Sequence, residues 1–305
     1  MPAIPSDPSL ALAPRLLDTP LQALADQLAP TQRDLFIFGL GYTGQYLARG
    51  LVAAGWRVGG TSRGPDTRQR LQNAGIEAFD FDTLHGEDMA GFSHILTTIG
   101  PGRTADHDPV LTAHRRLLTA IKPRWVGYYS ATSVYGPAMD DQWVDEQTVP
   151  QPSTDRGIRR LAIEQEWAQW AHDHGVTLSR FRIAGIYGPG RSIIEQLAKG
   201  TARVVEKPGH VFNRVHVEDI ARATLFRMID PSGPTLDNLA DGEPMSQVAW
   251  TQKAAEQMGI EPPAAIPFDR AVSEMSPMGR SFWQDSKRIK APAFAAAPHD
   301  PAGMP

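Results

Sequence analysis

The sequence predicts an α/β fold: a Rossmann-type doubly wound parallel sheet carrying a smaller C-terminal substrate lobe. Three observations predict it. An apolar strand, Asp34-Leu35-Phe36-Ile37-Phe38, runs into three glycines spaced G-x-G-x-x-G, at Gly39, Gly41 and Gly44. Strand-like and helix-like segments then alternate as far as residue 183, the pattern of a parallel sheet covered by crossover helices. After Gly188-Pro189 that rhythm breaks into shorter helical segments joined by Pro- and Gly-rich loops.

The elements follow in order. Residues 1–33 form a Pro-rich N-terminal extension (Pro2, Pro5, Pro8, Pro14, Pro20, Pro30). Within it Leu21, Leu24, Ala25 and Leu28 share one helical face and predict a short helix near Leu21–Leu28. Residues 34–190 read as the dinucleotide-binding domain, with strands at 34–38, 56–60, 76–79, 93–98, 124–130 and 176–183 and helices at 43–54, 66–74, 108–120 and 155–173. Helical patterns at 192–198, 215–229 and 246–258 place a mostly helical lobe at 191–290, with returns to the sheet domain. The Ala- and Pro-rich segment 291–305 reads as a loosely held tail.

The glycine spacing carries chemistry in this strand–turn–helix–strand setting. Gly39 allows the tight turn, Gly41 lets the backbone approach a pyrophosphate, and Gly44 lets the helix close on its strand. The N–H groups at the helix start, across Leu40, Tyr42 and Thr43, then face the phosphates, aided by the helix dipole. Sites that prefer NAD place an acid at the end of the second strand to accept from the ribose 2′-OH. Here that position reads Thr61-Ser62-Arg63, with no acid until Asp66. A guanidinium and two hydroxyls suit a 2′-phosphate, so NADP(H) is expected over NAD(H).

Composition bounds the rest. The 305 residues carry a net charge of −4 with no dense Lys/Arg block, which argues against a nucleic-acid or anionic-membrane partner. There are no cysteines, so disulfides, thiolate catalysis and Cys-type metal sites are excluded. No apolar run approaches the roughly 20 residues that span a bilayer, and the N-terminus lacks a signal-peptide pattern. A cytoplasmic location is the expectation. His172-Asp173-His174 puts two histidines off a common face, so no metal site is expected there. Asp145 and Glu146 read as loop caps, and Trp167 and Trp170 as helix-packing residues.

Several segments in order resemble the extended short-chain dehydrogenase/reductase superfamily, which includes nucleotide-sugar epimerases and dehydratases. They are Tyr129-Ser130-Ala131-Thr132-Ser133-Val134-Tyr135-Gly136, Val144-Asp145-Glu146, Arg182-Ile183-Ala184-Gly185-Ile186-Tyr187-Gly188-Pro189-Gly190, Arg214-Val215-His216-Val217-Glu218-Asp219 and Asn238-Leu239-Ala240-Asp241. The form Gly-x-Gly-Tyr-x-Gly resembles the atypical branch of that group. The resemblance covers about 34–290. It implies that Asp80 contacts the adenine, that Thr98, Ile99 and Gly100 pass the nicotinamide ribose, and that Ser130 and Ala184 border the cofactor. It also implies that Asn213, Arg214 and His216 reach the substrate or position the lobe, and that the protein forms a homodimer. Each position has a plainer reading: a loop cap for Asp80, a turn for Gly100, an internal partner for Asn213 and His216.

The catalytic positions depart from the pattern. Standard members use Tyr-x-x-x-Lys and a Ser or Thr on the preceding strand. Aligned on Leu161 and Glu164, the tyrosine position holds Arg156 and the lysine position Arg160, while the strand position holds Ala131. An arginine is always protonated near neutral pH and cannot shuttle a proton. Arg156 can stabilise an oxyanion, Arg160 can replace the lysine on ribose hydroxyls, and Thr132 can supply a hydroxyl. Tyr135 and Tyr187 are the phenols nearest the site, in turns that normally serve structure. Two readings follow. One is an NADP(H)-dependent oxidoreductase or epimerase/dehydratase acting on a small polar, sugar-like substrate. The other is a non-catalytic NADP(H)-binding sensor or scaffold.

Overall fold

The computed structural model describes residues 20–102, 107–138, 142–233 and 235–294. Seven parallel strands form the central sheet: β1 (Asp34–Phe38), β2 (Arg57–Thr61), β3 (Glu77–Phe79), β4 (His94–Thr97), β5 (Trp125–Ala131), β6 (Thr177–Ile183) and β7 (Leu236–Leu239). Their spatial order is β7-β6-β5-β4-β1-β2-β3, the doubly wound arrangement the sequence predicts. Helices cover both faces: α1 (Leu21–Ala25), α2 (Tyr42–Ala53), α3 (Pro65–Asn73), α4 (Pro109–Ile121) and α5 (Asp155–His174), with α6 (Ile193–Ala198), α7 (Val217–Ile229) and α8 (Gln247–Met258) following.

Alternation along each strand divides the core. Leu35 and Ile37 of β1 pack with Leu47 and Leu51 of α2 and with Ile220 and Leu225 of α7. Phe36 and Phe38 point to the other face, with Val110 and Leu111 of α4 and Ile163, Trp167 and Trp170 of α5. Both tryptophans are therefore core, as expected. The two-residue period of a strand produces this division, and burial on both faces makes β1 apolar throughout.

The predicted N-terminal helix forms at Leu21–Ala25, with Leu24 and Ala25 fully buried. It docks where Gly50 of α2 leaves room: a Cβ on Gly50 would lie 2.4 Å from Leu21 Cδ2. The prolines at 2, 5, 8 and 14 lie outside the described residues. So do residues 295–305 of the predicted loose tail. Residues 291–294 do not fit that expectation, because Ala291, Ala293 and Phe294 are buried, and Phe294 lies edge-on to Phe226 of α7.

Two further expectations change. The helix read over 215–229 starts only at Val217, and Arg214–His216 is a short strand parallel to Gly185–Tyr187. The seventh strand, Leu236–Leu239, carries Asp237 and Asn238 and lacks an apolar run. Its polar side chains are fully partnered: Arg227 forks onto Asp237 (2.7 and 2.5 Å), and Asn238 accepts from the Tyr135 hydroxyl at 2.8 Å. Buried polar groups are tolerated when paired, which is how this strand enters the core. Among the described residues no helix is long and apolar enough to cross a membrane.

Candidate functional site

The glycine turn at the end of β1 is held from two sides. Gly39 has φ +91°, and a Cβ there would lie 2.8 Å from Ile99 Cγ1 and 2.9 Å from Thr98 Oγ1. Its N–H donates to Thr61 Oγ1 (3.0 Å), and its carbonyl accepts from Thr98 Oγ1 (2.5 Å). The buried Leu40 donates its N–H to the Thr61 carbonyl at 2.8 Å. Gly44 is equally confined, with a Cβ position 2.8 Å from the Gly39 carbonyl oxygen. Gly41 differs. It caps α2 in extended conformation with no side-chain capping bond, and a Cβ there would meet nothing within 4 Å. A tight turn thus stands beside an open cradle at a helix N-terminus, which fits a pyrophosphate. Tyr42 and the half-buried Thr43 form the first helical turn beside it.

The end of β2 corrects one expectation. Thr61 is 1% exposed and its hydroxyl is spent on the glycine turn, so it positions the turn and does not face a 2′-phosphate. Ser62 is half-buried and Arg63 exposed. Arg68, which sequence reasoning passed over, donates to the carbonyls of Ser62 (2.8 Å) and Arg63 (2.9 Å) and to Asp80 (2.6 Å). The signal available for it was an arginine in the first turns of the helix that follows β2. Both Asp80 oxygens are in use, the second accepting from the Asp82 N–H at 3.0 Å. Asp80 therefore ties the ends of β2 and β3 together.

At the end of β4, Thr98, Ile99 and Gly100 run beside this turn. A Cβ on Gly100 would lie 2.8 Å from Arg160 Nη2. Arg160, at 6% exposure, donates through Nη1 to the Tyr129 carbonyl at 2.8 Å. Arg156 is one turn earlier and exposed; burial of part of its side chain and the like charge of Arg160 hold its guanidinium below the usual range. The α5 start is fixed by Thr154 Oγ1, which accepts from the Gly157 N–H at 3.1 Å, and by the close approach of Gly157 to the Ser133 carbonyl. Thr132 opens the turn Thr132–Tyr135 and is half-buried.

Ser130 is a second correction. Its hydroxyl donates to Glu164, and Glu164 accepts from Arg182 Nη2 at 2.7 Å, all three buried. The Ser130 hydroxyl is therefore committed to the core and is not available for the cofactor contact expected of it. Tyr135 is 4% exposed, its hydroxyl is bonded to Asn238 and its ring lies under the Arg182 guanidinium (4.7 Å). Tyr187 is buried with its ring against His216 and Trp250. Both phenols are packed into the structure. Asp145 forms a loop cap, accepting from the N–H groups of Gln147 and Thr148, and Glu146 accepts from the Asn238 N–H at 2.8 Å.

The substrate positions separate in the same way. Asn213 uses both ends of its amide on the 287–289 backbone, donating to the Lys287 carbonyl (2.8 Å) and accepting from the Ile289 N–H (2.9 Å). His216 is the N-cap of α7, accepting from the Glu218 N–H at 3.4 Å. Asn213 thus serves the fold, unlike the substrate contact expected of it, while His216 commits its Nδ1 to the helix start. Arg214 lies over the Trp250 ring at 4.6 Å, and burial pushes its guanidinium down to about 10. Ala184 donates its N–H to the Leu239 carbonyl at 3.0 Å and leads into Gly185–Tyr187. Gly39–Gly44, Thr61, Thr98–Gly100 and Arg160 thus gather at one end of the sheet. Among the described residues no group of three or more His, Cys, Asp or Glu side chains could hold a metal ion.

His210 in the lobe yields a pH prediction. It is 4% exposed between Phe212 (4.7 Å) and Trp283 (5.1 Å), and burial, with Lys207 nearby, pushes its pKa down to about 4. A histidine with a depressed folded-state pKa contributes stability that is complete above 6.5 and is lost as pH falls through 4. His210→Phe keeps an aromatic ring and should lose less stability than the parent between those pH values in urea titrations.

The fold and the glycine turn define a Rossmann-type protein of the short-chain dehydrogenase/reductase kind. The chain belongs to the NAD dependent epimerase/dehydratase family, whose sequence model matches residues 35–235. It is 31% identical to Protein YeeZ of Escherichia coli K12 over 242 residues, 74% of this chain and 84% of that protein. The structure of a functionally unknown conserved protein from Silicibacter pomeroyi DSS matches with a TM-score of 0.76 at 39% identity, covering 85% of this chain and 89% of that one. UDP-glucuronic acid 4-epimerase from Bacillus cereus, solved with NAD, matches with a TM-score of 0.66, covering 88% of this chain and 95% of that one. At 14% identity, that last likeness speaks for the fold alone.

Proposed function

We propose that this protein binds NADP(H) and acts as an oxidoreductase or epimerase/dehydratase on a small polar, sugar-like substrate through a non-standard active site. The observation that carries the cofactor choice is the end of β2, where Ser62 and an exposed Arg63 stand in place of an acid. A carboxylate there would repel a 2′-phosphate; a guanidinium binds it with charge-assisted hydrogen bonds. Gly39, Leu40, Gly41, Tyr42, Thr43 and Gly44 would hold the pyrophosphate, and Thr98, Ile99, Gly100 and Ala184 would border the nicotinamide end. The nicotinamide, when bound, supplies or accepts a hydride.

The chain's own residues then divide the remaining work. Arg160 donates to the ribose hydroxyls, and Arg156 stabilises negative charge on the substrate oxygen. Thr132 offers the hydroxyl that Ala131 lacks. Because neither arginine releases a proton, water or a substrate group supplies it. The reading is tested by titrating the purified protein with NADPH and NADH, following nicotinamide fluorescence. NADPH should bind at least about tenfold more tightly, the worth of one charge-assisted hydrogen bond. Equal affinity would remove the argument from Arg63, and binding of neither would remove the dinucleotide reading.

A second reading is supported by the commitment of Tyr135 to Asn238 and the absence of the Tyr/Lys pair: a protein that holds NADP(H) as a sensor or scaffold without turnover. The double substitution Arg156→Tyr with Arg160→Lys separates the two. An existing NADPH-consuming activity that falls marks the arginines as working parts. Activity that rises from nothing marks the natural protein as a binder.

A further inference from the structure

We infer that Arg191, on the loop leading out of the sheet domain, is a ligand for the dinucleotide pyrophosphate and closes over the glycine turn from the lobe side. The inference rests on the dinucleotide reading above, and adds a binding residue far from the fingerprint in sequence. Tyr42 carries the argument. It is the first residue of α2, beside the open space at Gly41, and its hydroxyl donates to the Pro189 carbonyl at 2.9 Å. The Arg191 guanidinium stacks on its ring, 4.2 Å from the centroid. A cation is thereby brought to the helix end that faces the phosphates.

The loop that delivers Arg191 is built for one conformation. Gly188 (φ +144°) and Gly190 (φ +79°) occupy backbone regions that other residues rarely adopt. A Cβ on Gly188 would lie 2.7 Å from Val217 Cγ1 and 2.9 Å from the Tyr42 hydroxyl, so the loop sits directly against the glycine turn. The Gly190 N–H donates to Glu195 Oε1 at 2.7 Å and the Arg191 N–H to the Gly188 carbonyl at 2.9 Å. Ser192 then caps α6, accepting from the Ile194 N–H at 3.0 Å.

Charge points the same way. The turn Gly39–Gly44 has no cationic side chain, and the first turn of α2 has no acid. A pyrophosphate would bring about two negative charges to a site whose own residues supply only backbone dipoles. Arg191 forms no ion pair among the described residues. Stacking on Tyr42 orients its plane and leaves the N–H edge available for a bidentate contact with phosphate oxygens.

The test compares wild type, Arg191→Gln and Arg191→Lys with three probes: NADPH, NADH, and adenosine 2′-monophosphate, which carries the 2′-phosphate but no 5′-phosphate. Arg191→Gln should weaken NADPH and NADH by the same factor, about tenfold or more, since hydrogen bonds to charged groups are worth that much. Arg191→Lys should recover part of the loss as a point charge. The 2′-monophosphate should bind Arg191→Gln within about twofold of wild type, and the unliganded melting temperature should not move, because Arg191 is exposed. NADPH and NADH affinities within about twofold of wild type in Arg191→Gln would overturn the inference while leaving the dinucleotide reading intact. An equal loss for all three probes would also overturn it, by assigning Arg191 to the adenine end or to the fold. A wild-type protein that binds none of them overturns both.

Discussion

Glu164→Ala should destabilise the protein by about 3–5 kcal/mol, the cost of leaving one member of a buried ion pair alone. Glu164 is 1% exposed and receives the fork of Arg182 together with the Ser130 hydroxyl. Without it a guanidinium that is 4% exposed has no counter-charge, and the stack of Arg182 on Tyr135 loses its anchor. Glu164→Gln should cost less, because the amide oxygen still accepts and the cavity stays filled. Urea unfolding of both variants measures the difference. A loss below about 1 kcal/mol for Glu164→Ala, as for a surface pair, would mean that water reaches Arg182 and that the pair is not part of the core. The network lies behind Ala131 and Thr132, so its loss should also loosen the strand end that borders the proposed reaction centre.

Much of this fold is legible in the sequence because periodicity reports burial. The strands from 34 to 183 and helices α2 to α5 show apolar runs or 3.6-residue patterns, and they form within a residue or two of the expected bounds. Strand β7 is illegible because Asp237 and Asn238 enter the core only where the Arg227 and Tyr135 side chains meet them. The same limit applies at the site. The family pattern places Ser130 and Asn213 near ligands, yet each spends its polar atoms on a neighbour: Glu164 and the 287–289 backbone. Sequence position fixes where a side chain starts, and partners brought by tertiary structure decide where its hydrogen bonds go. Thr61 shows how narrow the margin is. It stands where a cofactor residue is expected and instead holds the turn that the cofactor would meet.

Gly41→Ala and Gly44→Val should separate ligand contact from folding at the glycine turn. Gly44 has no room. Its Cβ position is 2.8 Å from the Gly39 carbonyl oxygen and 3.3 Å from Ile37 Cγ2, and a backbone atom cannot swing away as a side chain can. Gly44→Val should therefore displace the turn, cost about 1–3 kcal/mol by overpacking, and reduce NADPH affinity as a consequence. Gly41 is the reverse case: no protein atom lies within 4 Å of its Cβ position, and its φ of −83° suits any residue. Gly41→Ala should change stability by at most about 1 kcal/mol, the scale of a helix N-cap change. Its methyl group would nevertheless occupy the space where the pyrophosphate must approach the backbone. NADPH affinity should fall roughly a hundredfold, equivalent to about 2.7 kcal/mol. Isothermal titration and thermal unfolding on the two variants give the four numbers required. Wild-type NADPH affinity in Gly41→Ala would mean that the phosphates lie elsewhere, whatever the stability shows. Loss of binding without loss of stability would assign the open cradle to the ligand, since nothing in the protein itself contests that space.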